Sequence, residues 1–331
     1  MSSTASYIVA TETVTLDNPL ELERGGVLDD VRVGYELQGT SDGPLILALG
    51  GISATRHVTS HSENSSPGWW EDFAGPGKPI DTDRFQLLCI DFLGGNGATS
   101  GARSTDGLFP VVAPADQANV LAAVMGQLGF PRARAFFGSS YGGMVALQFG
   151  RLHANLCEHL VIVGAAHRAP AMANALRCIQ REIVRQTQNL GSAETGLRLA
   201  RAIGMATYRS EPEFETRFSR EPRVGESVHF AIEDYLFSRG DVFAANFHPR
   251  AFLRLSESID LQNMDPADVN VPCTIIGFDT DFVAPPDLTR NLADRISGPT
   301  ELIELESIYG HDAFLKEDEK LGPLFQNLLA D

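Results

Sequence analysis

The segment Ala135-Phe136-Phe137-Gly138-Ser139-Ser140-Tyr141-Gly142-Gly143-Met144 decides the fold. A short apolar run ends in Gly138-x-Ser140-x-Gly142, and a helix-period stretch, MVALQFGRLH, follows at once. Gly-x-Ser-x-Gly between a strand and a helix forces a sharp, strained turn with the serine at its tip. Side chains at 138 or 142 would collide with neighbouring backbone, so glycine is required at both. The turn lifts Ser140 Oγ clear of the sheet and sets it at a helix N-terminus, where developing negative charge is favoured. Ser140 is the candidate nucleophile.

Short apolar runs of the buried parallel-strand kind lie on both sides of this turn. They are Leu45–Leu49, Phe85–Phe92, Ala133–Phe137, Leu160–Val163, Thr274–Phe278 and Thr300–Leu305. Residues 114–129 open with Pro114 and Asp116 and close on Gly129, the punctuation of a capped helix. Strands alternating with helices predict a mostly parallel, doubly wound α/β sheet. The alternation around Val31–Leu37 predicts antiparallel strands ahead of it. Residues 168–262 break the rhythm with amphipathic helices (AMANALRCIQREIVRQTQ and TGLRLARAIGMATYR) and no intervening strand run. They read as a helical lid on the sheet's C-terminal edge, inserted into a core made of 1–167 and 263–331.

Composition narrows the function. The 331 residues are 43% hydrophobic and 21% charged, an ordinary globular balance. No run approaches the roughly 18–20 apolar residues of a membrane span, and the N-terminal stretch lacks the basic start of a secretory signal. A soluble, cytoplasmic protein is expected. Twenty-six Lys+Arg against 43 Asp+Glu give a net charge of −17, which repels nucleic-acid phosphates. The densest basic group, Arg201, Arg209, Arg217, Arg220 and Arg223, alternates with acids and reads as a solvated face. The four cysteines are far apart and lack metal-ligand spacing, so Cys89 and Cys273 read as buried thiols.

A serine nucleophile needs a base, and the base needs an orienting acid. Of the eight histidines, only His311 follows the last strand run by a short loop, in Tyr309-Gly310-His311-Asp312-Ala313-Phe314-Leu315. His57 and His61 precede the turn, His153, His159 and His167 follow it too closely, and His229 and His248 fall in the insertion. Each reads as a surface or packing histidine, and no metal is expected. The acid should follow the strand Thr274–Phe278, where chain order allows Asp279 or Asp281. For the oxyanion, two backbone N–H groups are needed. Tyr141, after the nucleophile, is one candidate, and Leu49, in Leu47-Ala48-Leu49-Gly50-Gly51, is the other.

Further motifs carry a family resemblance. They are Gly68-Trp69-Trp70, Gly75-Pro76-Gly77-Lys78-Pro79-Ile80-Asp81-Thr82, Leu93-Gly94-Gly95-Asn96-Gly97-Ala98-Thr99-Ser100-Gly101, Thr207-Tyr208-Arg209-Ser210, and Thr280-Asp281 ahead of Pro285. With the serine turn and Gly310-His311-Asp312-Ala313-Phe314-Leu315, the sequence resembles the homoserine O-acyltransferases of methionine biosynthesis, a branch of the α/β-hydrolase fold. The resemblance implies that Asp281 is the acid, and that Arg209, Tyr235 and Asp312 hold the amino-acid acceptor. It implies acetyl-CoA as co-substrate, L-homoserine as acceptor, and no other cofactor; the alternatives are an O-succinyltransferase of homoserine or serine, or a serine esterase on the same triad. A homodimer is expected. Here Tyr141 and Leu47–Gly51 depart from the usual family residues, which bears on the acyl pocket. Succinyl-using relatives would be expected to carry an Arg ten residues before the base. Glu301 stands there, and so an acetyl donor is expected over succinyl.

Overall fold

A computed structural model describes residues 6–102, 109–225 and 227–330. One eight-stranded sheet organises the chain. Its strands are β1 (Tyr7–Thr15), β2 (Arg32–Thr40), β3 (Leu45–Leu49), β4 (Gln86–Ile90), β5 (Ala135–Ser139), β6 (Leu160–Val163), β7 (Cys273–Phe278) and β8 (Thr300–Leu305). The spatial order is β1-β2-β4-β3-β5-β6-β7-β8. The pairs β1/β2 and β2/β4 are antiparallel, and every pair from β4 to β8 is parallel. The expected α/β-hydrolase fold is thus borne out, with the alternating N-terminal stretch forming its antiparallel edge.

The central strand shows why the sheet is covered twice. Successive side chains of a strand point to opposite faces. Phe136 meets Phe149 of α2 (Tyr141–Leu152) edge-on at 5.6 Å on one face. Phe137 meets Phe325 of the C-terminal helix (Asp318–Leu328) at 5.1 Å on the other. Both rings are fully buried, and truncating either to alanine would cost about 3–5 kcal/mol. On the α2 side lies α1 (Pro114–Gln127), which begins with Pro114 at its first position. Ala113 N–H donates to Asp116 Oδ2 at 2.7 Å, closing that helix start.

Between β6 and β7 come α3 (Ala171–Asn189), α4 (Ala193–Tyr208), α5 (Glu211–Arg217), α6 (Ala231–Asn246) and α7 (Pro249–Leu261). A two-residue antiparallel ladder, Arg223–Val224 with Val228–His229, interrupts the helices; its strands are too short to show an alternation in sequence. Arg177 and Arg181 of α3 converge on Asp260 of α7, each at 2.6 Å. Gly240 lets α6 approach α4, since a Cβ there would lie 2.5 Å from Arg198 O. After β7 follow α8 (Pro286–Arg295), a single turn α9 (Ala313–Lys316), and α10 (Asp318–Leu328), the C-terminal helix noted above. No helix among the described residues is long and apolar enough to cross a membrane. The described cysteines are all unbridged, with Cys89, Cys157 and Cys273 buried.

Candidate active site

Ser140 sits between β5 and α2 with φ 53° and ψ −119°, in the region that disfavours a side chain. Its neighbours make the turn possible. A Cβ on Gly138 would stand 2.4 Å from Gly142 O, and one on Gly142 would stand 2.0 Å from Leu49 O. Glycine is therefore obligatory at both, for the steric reason the sequence suggests.

Three side chains from three loops meet in a line. Ser140 Oγ lies 2.7 Å from His311 Nε2. His311 Nδ1 lies 2.8 Å from Asp281 Oδ2. Asp281 Oδ1 accepts N–H bonds from Val283 (2.7 Å) and Ala284 (2.9 Å), which fixes the carboxylate's plane. Asp279 does not reach the imidazole; its Oδ1 accepts from Ser307 N–H at 2.8 Å and ties the β7 loop to the β8 loop. Thr280 reinforces that tie, donating to Ser307 O and accepting from Gly310 N–H. Burial pulls the His311 pKa down, but the Asp281 carboxylate outweighs it and leaves the group above the ordinary histidine value.

Gly310, with φ +60°, lets the lid come down beside the base. A Cβ there would lie 2.9 Å from backbone atoms of Tyr208, Arg209 and Ser210. A cavity of about 320 Å³ opens over Ser140, lined in part by Gly51, Trp69, Tyr208, His311 and Asp312. Its size suits a small acyl group or amino acid.

Leu49 is the expected second oxyanion donor, through its backbone N–H. It is the last residue of β3, paired with Gly138 and 1% exposed, and it does not line the cavity. Gly51 lines it instead, and a Cβ there would stand 3.9 Å from Ser140 Oγ. Gly142 N–H donates to Gly50 O at 2.8 Å, which draws this loop against the serine turn. Tyr141 does line the cavity floor, while its hydroxyl is buried 2.6 Å from Ser258 Oγ.

The three expected acceptor residues lie together but not as three free groups. Asp312 lines the cavity, and Arg209 stands behind it with Nη2 3.0 Å from Asp312 Oδ2. Arg209 Nη1 pairs with Glu213 at 3.1 Å. The Tyr235 hydroxyl lies near the guanidinium, yet it and Arg209 Nε are buried without a hydrogen-bond partner. Burial pushes the Asp312 pKa up against the pull of Arg209.

Of the five arginines that alternate with acids, Arg209 and Arg217 pair with Glu213, Arg220 with Glu215, and Arg223 with Asp234. Arg201 differs: it lines the cavity and stacks on Tyr208 and Phe243, at 5.4 and 5.0 Å. Glu301 also departs from expectation. It is the second residue of β8, exposed and in register with Thr274. That is the end of the sheet where β7 begins, whereas Asp281 and Ser140 follow the other ends of their strands, so Glu301 cannot face an acyl group on Ser140.

Trp69 and Gly51 are functional candidates that residue-type reasoning passes over. The indole Nε1 of Trp69 is buried without a partner. Gly68-Trp69-Trp70 carried that signal, since Trp70 Nε1 donates to Phe314 O at 2.9 Å and fixes its neighbour beside the His311 segment.

Residues 44–318 match the family model of the alpha/beta hydrolase fold. A homoserine O-succinyltransferase of Xanthomonas campestris pv. campestris is 38% identical over 301 residues, covering 91% of this chain and 79% of that protein. A serine O-succinyltransferase of the same pathovar is 33% identical, covering 96% of each. Two solved structures share the fold: esterase E22 (TM-score 0.86, 20% identity, 97% of this chain, 100% of that one) and homoserine O-acetyltransferase from Bacillus anthracis (0.87, 21%, 98% of each). On these similarities, and with the serine turn in place, the chain belongs to the homoserine O-acyltransferase family of the α/β-hydrolase fold.

Proposed function

We propose that this chain is an acyl-CoA:L-homoserine O-acyltransferase that works through an acyl-Ser140 intermediate. The observation that carries the reading is the Ser140–His311–Asp281 line, with Asp312 and Arg209 beside it under a lid.

His311 Nε2 takes the Ser140 proton as Oγ attacks the thioester carbonyl. The N–H groups of Leu49 and Tyr141 receive the developing oxyanion, with Gly51 of the same loop beside Ser140 Oγ. The C–S bond breaks, and the thiolate of CoA leaves with the proton held on His311. The acceptor hydroxyl then gives its proton to His311 and attacks the acyl carbonyl, and the ester to Ser140 breaks with that proton returned to Oγ. Asp281 holds the imidazole tautomer throughout. The lid keeps water from the acyl-enzyme, which favours transfer over hydrolysis. Asp312 faces the acceptor's ammonium group, and Arg209 Nε with the Tyr235 hydroxyl supplies donors for its carboxylate.

Acetyl-CoA is the donor that the family resemblance implies. Glu301 gives it no support, because that residue lies at the end of β8 remote from Ser140. One observation favours a second reading, succinyl-CoA: the Arg201 guanidinium lines the cavity stacked on aromatic rings, with no carboxylate paired to it among the described residues. A distal carboxylate on the acyl chain would supply that partner. The two relatives above, named as succinyltransferases, support the same reading.

The test is intact-mass labelling of the full chain. Acyl-CoA alone should add one acyl group at Ser140, and L-homoserine should remove it faster than water does. An unlabelled chain, or a label discharged equally by water, overturns the reading.

A further inference from the structure

The sheet's antiparallel edge carries a second cluster of side chains, away from the cavity. Glu36 lies within β2 with its carboxylate buried. Two histidines of the segment after β3 converge on it. His57 Nδ1 and His61 Nε2 each stand 3.1 Å from Glu36 Oε2. The three donor atoms lie within 4.8 Å of one another. The side chains of Glu36, His57 and His61 are 3%, 13% and 1% exposed.

Hydrogen-bond accounting leaves this cluster short of positive charge. His57 Nε2 lies 2.8 Å from Ser66 O, which can only accept, so Nε2 carries the proton. The Nδ1 lone pair of neutral His57 then faces a carboxylate at 3.1–3.2 Å, acceptor against acceptor. His61 Nε2 is buried and makes no aligned hydrogen bond. The carboxylate otherwise receives two long contacts of 3.4 Å, from Thr11 Oγ1 and Gln38 Nε2. Arg56, next to His57 in sequence, is committed to Asp91. A buried carboxylate with so few donors calls for a cation.

We propose that Glu36, His57 and His61 form a structural site for a divalent transition-metal ion of the zinc class. Two imidazole nitrogens and one carboxylate oxygen are a donor set that zinc accepts, with water free to complete four-coordination. Bonds of about 2.0–2.1 Å to a tetrahedral ion put its ligand atoms about 3.3–3.4 Å apart. The observed 3.1 Å contacts to Glu36 need to open by only a few tenths of an ångström, and the two imidazole nitrogens, within 4.8 Å of each other, must settle at the same spacing. The Ser66 carbonyl already orients His57 through its far nitrogen, as an outer partner of a metal-bound histidine does. On the His61 side one contact must give way. Nδ1 accepts from Glu63 N–H at 3.2 Å, and it needs the proton once Nε2 ligates. Glu63 is exposed, in a turn that can yield.

The site's role follows from the chain it ties down. Gly51–Ala54 and Trp69, at the two ends of the segment bearing both histidines, line the cavity over Ser140. None of the three ligands does. The ion fastens the middle of that segment to β2 and so holds both ends in place, without touching the reacting atoms.

The test is made on the full chain, stripped with chelator and then titrated with Zn²⁺ alone. Calorimetry and elemental analysis after desalting should give one bound ion, and thermal unfolding should shift to higher temperature. His61→Ala and Glu36→Gln should each weaken binding by more than the roughly 100-fold that loss of an outer partner costs, and should abolish the thermal shift. If Glu36→Gln does not fold, His61→Ala makes the same comparison. Wild-type chain that retains no Zn²⁺, or variants that bind it as tightly, overturn the proposal. The first result leaves the cluster to a second proton on His57, and the second places the ion on other side chains.

Discussion

Arg209 Nη2 and Asp312 Oδ2 are joined at 3.0 Å, directly beside the base His311 and across the seam between lid and core. One residue closes the end of lid helix α4, and the other stands in the β8 loop. The pair therefore ties the helical insertion to the His311 loop at the cavity wall. Its carboxylate faces the cavity, where burial pushes its pKa up and its guanidinium partner opposes that push.

Arg209→Lys retains the charge but loses the planar fork that reaches Asp312 and Glu213 together. Charged hydrogen bonds of this kind are worth about 1.5–3 kcal/mol. The acceptor KM should rise roughly 10- to 100-fold by that measure, while the rate of Ser140 labelling by acyl-CoA stays near wild type. Stopped acylation would move Arg209 to the donor half-reaction, and an unchanged acceptor KM would leave it a lid residue only.

Ser140→Ala should abolish both the acyl-enzyme and turnover, since no other nucleophile faces His311 Nε2 at 2.7 Å among the described residues. Removing the base should cost a comparable factor, because nucleophile and base act as one unit. Each loss should reach about 10⁴-fold or more in kcat. Substantial transfer by Ser140→Ala would refute the assignment. Circular dichroism should show the fold intact.

The two aspartates of the β7 loop separate cleanly. Asp281→Asn replaces a carboxylate that holds the His311 tautomer at 2.8 Å, and kcat should fall by about 10⁴. Asp279→Asn keeps an oxygen for the Ser307 N–H and should cost less than about tenfold, the loss of part of one hydrogen bond. Parallel steady-state measurements of both variants decide it, and a reversed order would exchange their roles.

His311 sets the acid limb. Burial lowers its pKa and the Asp281 carboxylate raises it by more, for a net upward shift. The neutral imidazole is the form that can accept the serine proton. Donor kcat/KM should therefore climb with pH and level off above the ordinary histidine range. The sign for stability is opposite. A group whose pKa is raised on folding stabilises the chain fully below its unfolded pKa, and that gain fades as pH rises through the folded value. The residual activity of Asp281→Asn should show an acid limb moved to lower pH. An unmoved limb would mean that another group titrates.

The sequence made the serine turn legible because its cause is local. Gly138 and Gly142 are dictated by backbone atoms within a few ångströms, and the flanking strand and helix carry their own periodicities. The base was legible because chain order leaves one histidine after the last strand. Choosing between Asp279 and Asp281 depended on where a loop points after Phe278, which the family motif implied and composition could not. Glu301 is not legible as remote from the site, because counting residues back from His311 does not tell at which end of β8 a residue lies. Glu36, His57 and His61 could not be joined from sequence, because β2 meets the 57–61 segment only after β4 is inserted into the sheet.

The donor is the last matter the structure makes testable. Arg201 lines the cavity and stacks on Tyr208, whose ring centroid is 5.9 Å from that of His311. Its charge also bears on Asp312. A guanidinium there would stabilise a distal carboxylate on the acyl group and would do nothing for a methyl group. If succinyl-CoA is the donor, Arg201→Gln should lower its kcat/KM by about 10- to 100-fold, the value of one charged hydrogen bond, and should leave acetyl-CoA nearly unchanged. If acetyl-CoA is the donor, wild type should prefer it outright, and Arg201→Gln should alter the acceptor KM through Asp312 instead. Side-by-side kcat/KM values for the two thioesters, in wild type and in Arg201→Gln, separate these outcomes. A succinyl preference that survives the substitution would remove Arg201 from donor choice and leave Arg177, the other arginine lining the cavity, to be tested in the same way.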